Sequence, residues 1–100
     1  MSPKAEYHVR AKVWRYPGAA GWHFANLSRR QSAEIRVRFG PEARGFGSIP
    51  VTVRIGRTAW RTSLFPDRKS GTYLVAIKAD VRKKEGIAAD DTVSAVVHVR

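Results

Sequence analysis

The pattern that most restricts how this chain folds lies between Ser48 and Phe65. Ile49, Val51, Val53 and Ile55 alternate with other residues, Gly56-Arg57 interrupts, and Thr58 to Phe65 runs back. Period two is the spacing of a half-buried strand, whose successive side chains point to opposite faces. A two-residue break with glycine first suits a type II′ hairpin turn. An antiparallel hairpin with Val53 opposite Trp60 therefore stands at mid-chain. The stretch Arg54 to Gly71, RIGRTAWRTSLFPDRKSG, opens in this turn and closes in a second, Pro66 to Gly71.

The rest of the chain resolves around that hairpin. Tyr7, Val9, Ala11 and Val13 alternate with His8, Arg10 and Lys12, a first strand ended by the turn formers of residues 16–21. Trp22 to Leu27 reads as a second strand. Ser28, with Gln31 three residues on, forms a capping box for a helix over residues 29–38, stopped at Gly40-Pro41. Thr72 to Ile77 is apolar throughout, so a strand buried on both faces is expected. A short helix over residues 79–85 ends at Gly86 as its left-handed residue, and Val93 to Val99 is the last strand.

The element order is ββαβ, then ββαβ again. Sliding the chain by 46 positions places Trp14-Arg15 on Trp60-Arg61, Gly40 on Gly86, and Val51-Thr52-Val53-Arg54 on Val97-His98-Val99-Arg100. Two such units cover each other's strand edges around a pseudo-twofold axis. The expectation is a mainly β fold: a small closed double-split barrel from two pseudo-symmetric ββαβ repeats, with two short helices. The same shift puts Val99 opposite Trp14, pairing the last strand with the first. That register turns Val13 away from the core unless a bulge intervenes near Trp14. With 100 residues the chain makes one domain, expected over 6–100 with repeats of about 8–54 and 55–100, after a disordered N-terminus over 1–5.

Charge is the unusual total. Nineteen Lys and Arg, thirteen of them Arg, stand against eight Asp and Glu, a net +11. Such a field draws polyanions, although a solvated basic surface has the same composition. The chain has no cysteine, hence no disulfide or thiolate chemistry. No signal peptide or membrane span is expected, and the expected location is cytoplasmic. His8, His23 and His98 show no metal-ligand spacing, so neither metal nor cofactor is expected. No nucleophile or acid–base motif appears, and Asp67 reads as a turn carboxylate. The expectation is a non-enzymatic binding module, a monomer or weak homodimer.

Two sets of residues are candidates for binding. Arg10, Lys12, Arg15, Arg54, Arg57, Arg61 and Arg100 recur at strand and turn positions, where guanidinium groups suit non-specific phosphate contacts to DNA or RNA. Trp14, Trp22, Trp60 and Tyr73 are either barrel core or the lining of a shallow pocket, the feature of a small-ligand or protein–protein module with no nucleic-acid role. Arg44-Gly45-Phe46-Gly47 matches the start of an RNA-binding RNP1 motif, but Ser48 and Val51 stand where its aromatics belong. Phe46 is instead expected to close over the core.

The run Trp60 to Asp67, Gly71-Thr72-Tyr73, Val81-Arg82 and Gly86-Ile87, with Trp22-His23-Phe24 and Gly47 to Val51, resembles the bacterial domain-of-unknown-function family nineteen-oh-five over about residues 6–99. Where that family usually has Gly-Asp before the last strand, this chain has Asp90-Asp91. The resemblance implies a double-split barrel similar to the swapped-hairpin barrels of the AbrB and MazE transcription factors, which bind DNA as dimers. It supplies no catalytic residues, and fold similarity alone does not transmit function.

Overall fold

The computed structural model describes residues 5–100. The alternating segments become strands β1 (Glu6–Lys12), β2 (Trp14–Arg15), β3 (His23–Asn26), β4 (Ile49–Ile55), β5 (Thr58–Asp67), β6 (Thr72–Ala76) and β7 (Thr92–Val99). The helices are α1 (Arg29–Phe39) and α2 (Ala79–Glu85). β1 and β2 are one run interrupted at Val13, so the order is ββαβ twice over. All pairings are antiparallel, in the order β1-β7-β4-β5-β6-β3-β2. The two edge strands are consecutive in the chain, and the sheet curls into a nearly closed barrel. It is double-split: β5 pairs with β4 up to Leu64 and with β6 from Leu64 onward, while the β1–β2 run divides between β7 and β3. Of the N-terminal stretch expected to be disordered, residues 1–4 lie outside the described residues. Ala5 is paired, its carbonyl accepting from Val99 N–H at 2.8 Å.

The hairpin forms as its residues dictate. Ile55 faces Thr58 and Val53 faces Trp60, and Gly56 has φ +59 while Arg57 keeps a negative φ, the type II′ arrangement. The Glu85 carboxylate from the end of α2 packs where a Cβ on Gly56 would stand. Thr58 Oγ1 donates to it at 2.6 Å, which fastens α2 to the hairpin. The capping box of α1 is present, with Ser28 Oγ accepting from Gln31 N–H and the Gln31 side chain accepting from Ser28 N–H. α1 lies against the barrel through Ile35 and Ser32, whose Oγ accepts from Tyr73 N–H at 2.9 Å. Gly86 is left-handed, as expected. Gly40 is not: it stays right-handed and opens a 3-10 turn, Gly40–Glu42, with Pro41 as its second residue.

Pairing registers expose the symmetry. Ala25 pairs with Val75, fifty positions on, and Thr52 with His98, forty-six on. Residues that pair with their own repeat-mates mark where a pseudo-twofold axis crosses the barrel. The offset falls by four between these points, and α1 has eleven residues where α2 has seven, a difference of about one helical turn.

This corrects the uniform 46-residue shift. The first strand does pair with the last, but Lys12 faces Thr92 and Trp14 faces Phe24 instead of Val99. Phe24 and Leu74, fifty apart, pair with Trp14 and Phe65. The repeat-mate of Trp14 is therefore Phe65, and Trp60 has a different position in the barrel. Val13 points inward without a bulge and is fully buried, its N–H and C=O bonded to Asp91 and Asp90.

Three further expectations change. β5 runs on through Pro66 to Asp67, because β4 ends its pairing at Leu64 and a missing N–H on that side leaves no ladder bond unmade. β6 buries Tyr73 and Val75 inward, while Leu74 and Ala76 face out and are only half-buried. Phe46 does not cover the core. It is 95% exposed at φ +60, carried outward by a glycine-flanked turn that packs against Pro66. No helix among the described residues is long and apolar enough to cross a membrane.

Candidate binding groove on the outer face of the barrel

Strand alternation decides what reaches the outside near the β3–β6 seam. Ala25 and Val75 point inward, so Phe24, Leu74 and Ala76 point outward, joined by their partners Trp14 and Phe65. The β2–β3 turn adds Tyr16 and Trp22, tied by Tyr16 N–H donating to the Trp22 carbonyl at 2.7 Å. Together with Asp67 these residues line an open groove of about 360 Å³. Its rings are organised: Trp14 and Phe24 lie 5.2 Å apart between centroids, Trp22 and Phe24 stack at 6.1 Å and 8°, and Tyr16 meets Phe24 edge-on. Trp22 is 56% exposed, Tyr16 55% and Phe65 43%.

A polar chain closes one end. Trp14 Nε1 donates to Asn26 Oδ1 at 2.6 Å, and Asn26 Nδ2 donates to Thr72 Oγ1 at 3.0 Å. Ser70 Oγ lies 2.7 Å from both Thr72 Oγ1 and Asp67 Oδ2. The Ser70 proton goes to the carboxylate, so Thr72 is the donor to Ser70. Each bond in such a run polarises the next. The Ser70 hydroxyl is the main reason that Asp67 sits below the ordinary carboxylate range, helped by backbone N–H groups of Ser70 and Lys69. With the Trp14 N–H committed to Asn26, the groove offers ring faces and aliphatic surface.

Of the four aromatic residues expected to form a pocket, the structure brings Trp14 and Trp22 to the groove. Trp60 and Tyr73 belong to the barrel interior. Trp60 points inward at 9% exposure, and its Nε1 is buried with no hydrogen-bond partner among the described residues. Tyr73 is buried beneath Arg36, whose guanidinium lies 5.5 Å from the ring centroid. Phe24, Phe65 and Tyr16 were missed. The signal for Phe65 was parity: once Val13 and Leu64 point inward, the next residues, Trp14 and Phe65, point out together.

The basic residues divide likewise. Arg54 and Arg61 emerge from β4 and β5, and Arg10 and Lys12 from β1, all exposed on the outer surface that centres on the β4–β7 seam. That seam crosses the axis at the opposite pole from the groove. Arg57 sits in the hairpin turn, and Arg100 follows β7, its N–H bonded to the Pro50 carbonyl at 3.0 Å. Arg15 stands apart, bracing the β2–β3 turn by donating to the Gly18 carbonyl at 3.3 Å. Among the described residues, none of Arg10, Lys12, Arg54, Arg57 and Arg61 is ion-paired; their neighbours His8 and Glu6 pair with each other at 3.1 Å.

The profile of a family described as a domain of unknown function, DUF1905, matches residues 10–97. The chain belongs to the DUF1905 family. Trp14, Trp22, Phe24, Phe65 and Leu74 all fall within the matched span. No curated protein matches this DUF1905 chain.

Proposed function

We propose that this DUF1905 domain is a binding module, without a catalytic role, that seats a flat ring of its ligand in the outer groove. One observation carries the reading: Trp14, Tyr16, Trp22, Phe24 and Phe65 assemble on an outward face that the barrel does not need for its own core. Apolar walls with few polar groups are the usual lining of a small-molecule site, and about 360 Å³ lies at the lower end of such sites. Asp67 supports binding over bond-making, because the bonds from Ser70 hold it as a carboxylate with little basicity. Trp14 and Trp22 make the test direct. Titration with adenosine should change tryptophan emission, titration with indole should release heat in calorimetry, and Trp22→Ala should weaken that binding at least about tenfold, the scale of losing one stacked ring. Unchanged affinity in Trp22→Ala would overturn the reading.

A second reading rests on the opposite pole. Arg10, Lys12, Arg54 and Arg61 share one outer surface without ion-pair partners among the described residues, which suits non-specific contact with DNA or RNA phosphates. Fluorescence anisotropy of labelled duplex and single strands at two salt concentrations tests it. The double variant Arg54→Ala/Arg61→Ala should reduce the salt slope by about 1.4 for single strands and about 1.8 for duplex. Absence of binding at low salt would remove it.

A further inference from the structure

Trp22 stands between two depressions. On one side is the aromatic groove; on the other is a hollow of about 290 Å³ walled by His23, Lys78 and Arg82, and both hollows share Trp22 and Ala76. The two have opposite chemistry. The groove offers ring faces, and the second hollow offers the cationic nitrogens of Lys78 and Arg82. Arg82 is half-buried and held by Nε donating to the Ile77 carbonyl at 3.1 Å. His23 Nδ1 donates to the Gly21 carbonyl at 2.7 Å, so Nε2 is the ring nitrogen left over. Lys78 is exposed at the entrance to α2. The one carboxylate beside them in sequence, Asp80, accepts from Val81 N–H at 2.9 Å, and two cations outnumber it.

We infer that the groove and this hollow form one site, whose ligand is a planar ring carrying an anionic group, a phosphate or a carboxylate. The ring lies on Trp14, Trp22 and Phe24, and the anion reaches past the edge of Trp22 to Lys78 and Arg82. A guanidinium and an ammonium suit such a group through charge-assisted hydrogen bonds. This rests on the groove reading above and adds the charge of the ligand to it.

Matched pairs of probes separate the two claims: indole against indole-3-acetate, and adenosine against adenosine monophosphate, each followed by titration calorimetry. The charged member of at least one pair should bind about tenfold tighter, the gain expected of one well-formed charge-assisted bond. Lys78→Glu, an exposed change, should abolish that advantage and leave the uncharged member unaffected. Equal affinity within both pairs overturns the anion claim and leaves the groove reading standing. Equal loss for charged and uncharged members in Lys78→Glu overturns it too, since the effect would then be structural. Binding of neither pair removes both claims. A 5′-phosphorylated trinucleotide beside the free nucleotide then tells whether the ring and its anion arrive alone or at the end of a strand.

Discussion

The pseudo-twofold axis crosses the barrel wall twice, and the two crossings are alike inside and unlike outside. At the β4–β7 seam, Val51, Val53, Val97 and Val99 point inward; at the β3–β6 seam, Ala25 and Val75 do, continued by Leu27 and Ile77. Outside, the first seam shows Thr52, Arg54, Val96 and His98 around a depression of about 330 Å³ with a mixed lining. The second shows Phe24, Leu74 and Ala76 under three exposed rings. One topology accepts both outer surfaces, so the inward set is what folding demands. The aromatic outer set leaves apolar area in water that polar residues at the same positions would not. That difference is what points to function.

The largest expected effect tests the inward half of this contrast. Leu64 is fully buried where β5 passes from β4 to β6, facing both Ile49 and Val75. Leu64→Ala should cost about 3 kcal/mol in chemical denaturation, within the range for buried leucines. Trp22→Ala, in the groove, should stay within about 0.5 kcal/mol, as surface changes do. A comparable loss in both would erase the distinction.

Trp14 and Trp60 sharpen it further. Trp14→Phe removes the donor to Asn26 Oδ1 and should cost about 1 kcal/mol. Trp60→Phe leaves a cavity but also removes an indole N–H buried without a partner. Relief of that desolvation, about 1–3 kcal/mol, should offset the cavity and hold the net change within about 1 kcal/mol of zero. A Trp60→Phe loss well above that of Trp14→Phe would show that the indole N–H is satisfied in solution.

The groove pole should also show in the acid limb of stability. Asp67 has a lowered pKa in the fold, so its contribution is present above the ordinary carboxylate range and lost as pH falls through the depressed value. Asp67→Asn should flatten that limb in thermal melts between neutral and acid pH; an unchanged slope would mean that the Ser70 bonds do not persist. The smallest effect concerns Phe46, an exposed residue at φ +60. Phe46→Gly should gain up to about 1 kcal/mol by relieving the left-handed strain, less the added freedom of the unfolded chain.

The element order was legible because alternation and turn formers agree at nearly every boundary. The hairpin register followed from Gly56-Arg57 alone. The registers of β1 and β2 were not legible: no local signal says that α1 carries an extra turn or that the first strand changes partner at Val13. For the groove, Trp14 and Trp22 were identifiable as candidates, yet indole rings look alike in a sequence. Only the inward parity of Leu64 and Val13 separates Trp60, in phase with one, from Trp14, out of phase with the other.

Because the groove lies on the axis, its two ends would be interchangeable in a barrel of identical halves, and an occupant could enter either way round. Here fifty positions relate Trp22 to Thr72 and Ser28 to Lys78. One end therefore closes on the Asp67 carboxylate, and the other opens onto Lys78 and Arg82. The two halves of the chain differ at these ends, and the difference gives the groove a head and a tail.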